Sequence, residues 1–131
     1  MIGTSPRILV IDDEIDTVSL VKLVLQRAGY VVYTATTWDE ILSRLRTLAD
    51  KKEAIDLVVL DIMMPDRSGF DVMLIFQVVL HPVPPVIFLT AKIGMDDMVK
   101  ASDMGAVKYL TKPTTPDKLV TAVREVLGKR K

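Results

Sequence analysis

The stretch that decides the fold is Asp56-Leu57-Val58-Val59-Leu60-Asp61-Ile62-Met63-Met64-Pro65-Asp66-Arg67-Ser68-Gly69. An apolar, β-branched run too short for a helix leads into one carboxylate, and a turn with Pro and Gly follows at once. We therefore predict that Asp61 lies at the carboxyl end of a buried strand. Ligands bind at this edge of an open parallel sheet, so an acid there is placed for chemistry. An isolated Asp that starts a turn would need no such explanation, so the interpretation depends on partners at other strand ends.

Length and composition limit the class of protein. The 131 residues are half hydrophobic, and 17 basic side chains balance 17 acidic ones. We expect a single domain over residues 1–131, with no global charge to attract nucleic acid or a membrane. The absence of cysteine excludes disulfides and thiolate metal sites. Because there is no signal-peptide pattern and no apolar run of about 20 residues, a cytoplasmic protein is expected.

Strand-like and helical patterns alternate along the chain. The predicted strands are Arg7–Ile11, Tyr30–Ala35, Leu57–Leu60, Val86–Leu89 and Val107–Thr111. Helices are predicted over residues 15–28, 38–48, 70–80 and 96–104 and after residue 115, with end signals at Gly29, Thr37, Gly105, Thr115 and Pro116. This alternation predicts a three-layer, doubly wound α/β sandwich of (βα)5 type, with the flavodoxin-like parallel strand order 2-1-3-4-5.

The predicted third helix is apolar on every side. Between residues 72 and 80 only Gln77 is polar, and a helix of this kind is expected to be buried on more than one side. Three prolines between residues 82 and 85 end the helix and impose an extended connection. We favour the interpretation that this connection folds over the helix. The alternative is that the helix forms a docking surface.

Four of the predicted strands end in polar side chains. Asp12 and Asp13 follow strand one, Asp61 follows strand three, Thr90 strand four and Lys112 strand five. With the order 2-1-3-4-5, the three carboxylates meet at the switch point between strands one and three. They would repel one another unless a cation joined them. Because no His or Cys is among them, and because an open site must also admit a phosphate, Mg²⁺ is the favoured ion.

The other two side chains suit a phosphoryl group. Thr90 offers a hydroxyl and Lys112 a point positive charge, and both groups bind phosphoryl oxygens well. A carboxylate placed between Mg²⁺ and a lysine is equipped to attack phosphorus and to become an acyl phosphate. Phosphoryl transfer to Asp61 is therefore the predicted chemistry.

This set of residues resembles the receiver domains of two-component response regulators over about residues 6–127. Five separated features carry the resemblance: Asp12-Asp13 after strand one, Asp61 followed by Pro65 and Gly69, Thr90-Ala91, Tyr109, and Lys112-Pro113. Each feature alone is weak, whereas the ordered set is specific. The resemblance implies a signalling switch and not an enzyme, in the form of a monomer or weak dimer. A standalone regulator and the receiver of a longer protein both fit.

The resemblance also implies a role for each residue. Asp61 would accept a phosphoryl group from a histidine kinase or a histidine phosphotransfer protein. Mg²⁺ would be held by Asp13, Asp61 and the backbone carbonyl of Met63, with Asp12 acting through water. Lys112 would pair with the phosphoryl group.

Further expectations concern signal output. Thr90 and Tyr109 would be the switching pair, and helix four, strand five and helix five would bind a downstream protein. The bond before Pro113 is expected to be cis. His81, the only histidine, is expected in a solvated loop, so the phosphoryl donor must be another molecule.

Met63 and Lys92 are predicted to set the lifetime of the signal, since by resemblance they flank the water that would hydrolyse the acyl phosphate. Met63 cannot orient this water and a protonated Lys92 cannot act as a base, which predicts slow self-dephosphorylation. The alternative is that both side chains point to solvent and have no effect.

Two other functions are alternatives to phosphoryl-controlled signalling. One is an Mg²⁺-dependent phosphatase with an aspartyl-phosphate intermediate. Such haloacid-dehalogenase-like enzymes carry a second acid two residues after the nucleophile, and Met63 stands there in this chain. The other is a receiver that signals by constitutive contact without phosphorylation, for which the complete acidic set gives no reason.

Overall fold

The structure, a computed structural model, describes residues 5–64, 68–91 and 94–128. Within these ranges five strands alternate with five helices. In chain order the elements are β1 (Arg7–Ile11), α1 (Ile15–Arg27), β2 (Val31–Ala35), α2 (Trp38–Asp50), β3 (Leu57–Leu60), α3 (Gly69–Val79), β4 (Val86–Thr90), α4 (Met95–Asp103), β5 (Ala106–Thr111) and α5 (Pro116–Gly128). The strands pair in parallel in the order β2-β1-β3-β4-β5, which confirms the predicted sheet.

The sheet separates two apolar clusters. Leu9 and Ile11 of β1 point into a cluster with α2, α3 and Ala101 of α4, whereas Ile8 and Val10 point into a cluster with α1 and α5. All residues of β3 and β4 are buried, as expected for central parallel strands that are covered on both faces. The molecule is therefore the three-layer sandwich that the sequence predicts.

Capping residues fix the helix ends. The Thr37 hydroxyl accepts a hydrogen bond from the backbone N–H of Glu40 at the start of α2. Ser68 and Asp71 bond reciprocally to each other's backbone N–H, and this capping box fixes the start of α3. Gly29 follows α1 with φ +100°, a conformation that suits glycine. Among the helices that the structure describes, none is long and apolar enough to cross a membrane.

The prediction for α3 was wrong, because this helix is buried on one side only. Phe70, Val72, Met73 and Phe76 face the core. The opposite face exposes 53% of Leu74, 74% of Val78 and 48% of Val79, and we call these three residues the apolar patch of α3. Because these three residues are exposed, the connection to β4 does not cover the patch, although its Pro84 is buried. A helix that is apolar on every side offers no contrast from which the sequence could predict the exposed face.

Candidate functional site

The sheet brings three predicted carboxylates together. β1 and β3 are neighbours in register, with Ile11 opposite Leu60, so the residues that follow them lie at the same level. The backbone N–H of Asp61 donates to the carbonyl of Ile11 at 3.0 Å. Carboxylate oxygens of Asp12, Asp13 and Asp61 lie within 4.8 Å of one another. The predicted acidic cluster is therefore present at the carboxyl edge of the sheet.

Burial makes this cluster costly without positive charge. Asp12 is 2% exposed and Asp61 3%, whereas Asp13 is partly open to solvent. Burying ionised carboxylates is unfavourable unless they are paired or hydrogen-bonded. A set of carboxylate oxygens with one open side fits a hard divalent cation such as Mg²⁺, which keeps some of its waters. The residues present thus fit the predicted ion.

The Asp61 carboxylate is held in one orientation. Its Oδ1 accepts a hydrogen bond from the Thr90 hydroxyl at 2.7 Å and one from the backbone N–H of Met63 at 2.9 Å. Its Oδ2 accepts from the Lys112 ammonium at 2.9 Å. Both oxygens of Asp61 therefore have specific partners in the structure.

Lys112 contacts one carboxylate that the sequence did not single out. Its Nζ lies 2.7 Å from Asp12, 2.9 Å from Asp61 and 2.7 Å from Oε1 of Glu14. Burial alone would lower the pKa of Lys112, but the three carboxylate contacts outweigh burial and raise that pKa above its ordinary value. Lys112 therefore stays charged, and Glu14 belongs to the site.

The pKa of Asp12 shows that its ionised form is unfavourable within the cluster. Burial raises the pKa of Asp12 from 3.8 to about 6. Hydrogen bonds from Lys112 and from the backbone N–H of Glu14 oppose this effect, while the charge of Asp61 adds to it. A bound cation would favour the ionised form of Asp12 and so relieve this cost.

Gly69 permits α3 to begin next to Asp61. A Cβ atom at this position would lie 2.8 Å from the carbonyl oxygen of Asp61 and 2.8 Å from Cα of Ile62. The Gly69 N–H also donates to the Ile62 carbonyl at 2.9 Å. Only a residue without a side chain fits this contact of backbone with backbone.

The two predicted switching residues lie on adjacent strands. Tyr109 of β5 pairs in register with Phe88 of β4, two residues before Thr90. The Tyr109 ring is partly buried, 6.1 Å from the Phe88 ring, and its hydroxyl donates to the carbonyl of Met98 in α4 at 2.8 Å. Thr90 therefore contacts Asp61, and Tyr109, which pairs with β4 two residues before Thr90, contacts α4.

The remaining predicted residues are only partly described. The Met63 side chain is 64% exposed and lines, with Asp13 and Phe70, a groove of about 580 Å³. Lys92 lies outside the described residues, so its predicted place beside the acyl phosphate stays a prediction. The Lys112–Pro113 bond is cis. His81 is exposed in the connection after α3.

Comparison with known proteins gives one family. The model of the response regulator receiver domain matches residues 8–124. The alkaline phosphatase synthesis transcriptional regulatory protein PhoP of Bacillus subtilis is 37% identical over 92% of this chain and 48% of its own length. Response regulator SaeR of Staphylococcus aureus is 35% identical over 95% of this chain and 51% of its own. The chain thus spans about half the length of these relatives.

Solved structures agree with this family. The CheY-like response regulator receiver domain protein of Methanospirillum hungatei superposes with a TM-score of 0.82, at 28% identity, over 96% of both chains. The receiver domain protein of Clostridium thermocellum gives a TM-score of 0.78 at 33% identity, over 95% of this chain and 96% of that one. Both similarities extend over nearly the whole described fold.

Proposed function

The chain belongs to the response regulator receiver domains of two-component systems, and from this premise we propose that Asp61 accepts a phosphoryl group. Proteins of this family are signalling switches that interact with histidine kinases and downstream partners. The observation that supports the proposal most is the set of partners around Asp61. Its two carboxylate oxygens accept hydrogen bonds from Thr90, Lys112 and the backbone N–H of Met63. Two further carboxylates, those of Asp12 and Asp13, lie beside it.

The proposed reaction moves a phosphoryl group between two side chains. An oxygen of Asp61 attacks the phosphorus of a phosphohistidine on a histidine kinase or phosphotransfer protein. The phosphorus–nitrogen bond breaks, its electron pair stays on the imidazole nitrogen, and that nitrogen takes up a proton. Lys112 and Thr90 bind the oxygens of the transferred group. The product is an acyl phosphate on Asp61.

We propose Mg²⁺ as the cofactor, held by Asp12, Asp13, Asp61 and the backbone carbonyl of Met63. When bound, it supplies positive charge to the phosphoryl oxygens. The support is the donor set, which consists of carboxylate oxygens within 4.8 Å of one another. Among the residues of the chain, Asp61 is the nucleophile and Lys112 neutralises negative charge on the transferred group.

The proposed output runs through α4, β5 and α5. On phosphorylation the Thr90 hydroxyl exchanges the carboxylate oxygen of Asp61 for a phosphoryl oxygen. Its movement alters the packing around Tyr109, whose hydroxyl contacts α4 at Met98. Such coupling is typically worth about 1–3 kcal/mol, which changes the affinity of a downstream protein roughly 5- to 150-fold.

We propose that residues 1–131 form a single receiver domain.

The proposal is tested by intact mass after incubation with acetyl phosphate and Mg²⁺. The parent protein should gain one phosphoryl group, and Asp61→Asn should gain none because its amide is not a nucleophile. Asp16→Asn, an equal charge change in the first turn of α1, should label like the parent. Removing Mg²⁺ with a chelator should abolish labelling of the parent. Labelling of the Asp61→Asn variant would place the acceptor elsewhere.

A further inference from the structure

All three N–H donors of the Lys112 ammonium have a carboxylate acceptor in this structure. It has three donors, and Asp12, Glu14 and Asp61 each accept within 2.9 Å. Before transfer, while Asp61 is still a carboxylate, Lys112 can therefore bind an oxygen of the incoming phosphoryl group only if one of these three carboxylates leaves it. We propose that Glu14 is a latch on Lys112, the carboxylate that leaves when the phosphoryl group arrives. This inference rests on the proposed phosphorylation of Asp61.

Exposure distinguishes Glu14 from the other two acceptors. The side chains of Asp12 and Asp61 are 3% and 4% exposed, and both belong to the acidic cluster. The Glu14 side chain is 59% exposed. A carboxylate that leaves Lys112 must find new partners, and Glu14 finds them in water at little cost, whereas a buried carboxylate does not. Glu14 is thus the group most easily exchanged.

The position of Glu14 makes the contact more than a chance surface pair. Glu14 is the N-cap residue of α1, yet its side chain makes no hydrogen bond to that helix and reaches Lys112 instead. Its own N–H donates to Oδ1 of Asp12 at 2.9 Å, which fixes the backbone from which the side chain extends. The latch is therefore anchored through its backbone to Asp12, while its carboxylate pairs with the lysine of the same site.

The latch should slow phosphorylation. While it is closed it occupies one donor of Lys112, so the exchange must precede or accompany transfer of the phosphoryl group. Opening it removes the competitor and leaves the ion pairs with Asp12 and Asp61, which keep Lys112 in place. One partly exposed ion pair corresponds to a change of about two- to fivefold in rate.

Two variants separate the contact from the charge. Glu14→Asp keeps the charge but is one methylene shorter and loses the contact, whereas Glu14→Gln loses the charge and weakens the contact. Asp16→Asn is the control, because it removes a nearby charge from α1 without touching the latch. All are labelled with acetyl phosphate and Mg²⁺ and followed by intact mass. NMR of the Lys112 side chain, without phosphodonor, reports the contact independently of labelling.

We expect both Glu14 variants to label about two- to fivefold faster than the parent, with altered Lys112 signals, and the control to match the parent. If Glu14→Asp labels at the parent rate and keeps its Lys112 signal, the latch is refuted. Slower labelling of both variants would also refute it, since Glu14 would then assist. If Asp61→Asn labels like the parent, the proposed function fails, whereas the Lys112 signals still show whether the contact forms.

Discussion

The carboxyl edge of the sheet and the apolar patch of α3 depart from ordinary burial in opposite directions. At the edge, charged Asp12 and Asp61 are buried. On α3, Leu74, Val78 and Val79 are apolar and exposed. The buried acids have specific partners within hydrogen-bond distance, because burial of a charge is too costly without them. Exposure of three apolar side chains costs much less and imposes no partner. Buried charge therefore specifies structure, while an exposed apolar patch does not.

The largest expected effect is a difference in the free energy of unfolding between substitutions on the two opposite faces of α3. Phe76 is fully buried, and Phe76→Ala should lower the free energy of unfolding by about 3–5 kcal/mol because it leaves a cavity. Val78→Ala, on the exposed face, should change it by less than about 0.5 kcal/mol. Chemical denaturation measures both. A large loss of stability for Val78→Ala would mean that the apolar patch of α3 is covered in solution. The contrast between a buried acidic edge and an exposed apolar patch would then be wrong.

A second test concerns the backbone contact at the acidic edge. Gly69→Ala would place a methyl group against Asp61 and Ile62, and should destabilise the fold by about 1–3 kcal/mol as an overpacked site. Labelling by acetyl phosphate should fall as well, because the Asp61 backbone must move. Gly94→Ala is the matched control, since its Cβ meets nothing within 4 Å. Equal stability of the two variants would show that the α3 start can shift freely.

Much of the fold and of the acidic edge could be predicted because local patterns fix them. The five strand runs and their order place Asp12, Asp61 and Lys112 at one edge whatever the helices do. Glu14 could not be predicted as a site residue, because the direction of a long side chain depends on Lys112, 98 positions away. The exposed face of α3 could not be predicted from the sequence either, because the apolar residues of this helix show no helical period.

The pH dependence of stability is a smaller effect at the same edge. The pKa of Asp12 is raised to about 6 in the folded protein, so between pH 4 and 6 the folded state binds more protons than the unfolded state. The contribution of Asp12 to stability therefore falls as pH rises through this window. Asp12→Asn lacks this titration, so its stability relative to the parent should improve by roughly 1–2 kcal/mol from pH 4 to 7.

This comparison is made by urea unfolding across the pH range with a chelator present, so that no divalent cation compensates the charge of Asp12. Subtracting the two curves removes the titration of groups that both proteins share. Parallel curves would mean that burial does not raise the pKa of Asp12. That result would contradict the expectation that the acidic cluster is strained without a cation.

The smallest effect separates two exposed apolar side chains. Met63 lies at the acidic edge, where its backbone N–H is fixed on Asp61, whereas Leu74 lies in the patch of α3. Hydrolysis of the acyl phosphate needs a water aligned with phosphorus, and a thioether cannot orient one while it can cover the group. Met63→Asn supplies an amide that can hold this water, so loss of the phosphoryl group should become several-fold faster. Leu74→Asn makes a similar change of polarity on the apolar patch of α3 and should leave the rate unchanged.

Intact mass over time, after the phosphodonor is removed, measures the rate of dephosphorylation of both variants. If the two variants and the parent lose the phosphoryl group alike, Met63 points to solvent without effect, and its exposure has no more functional meaning than that of the patch.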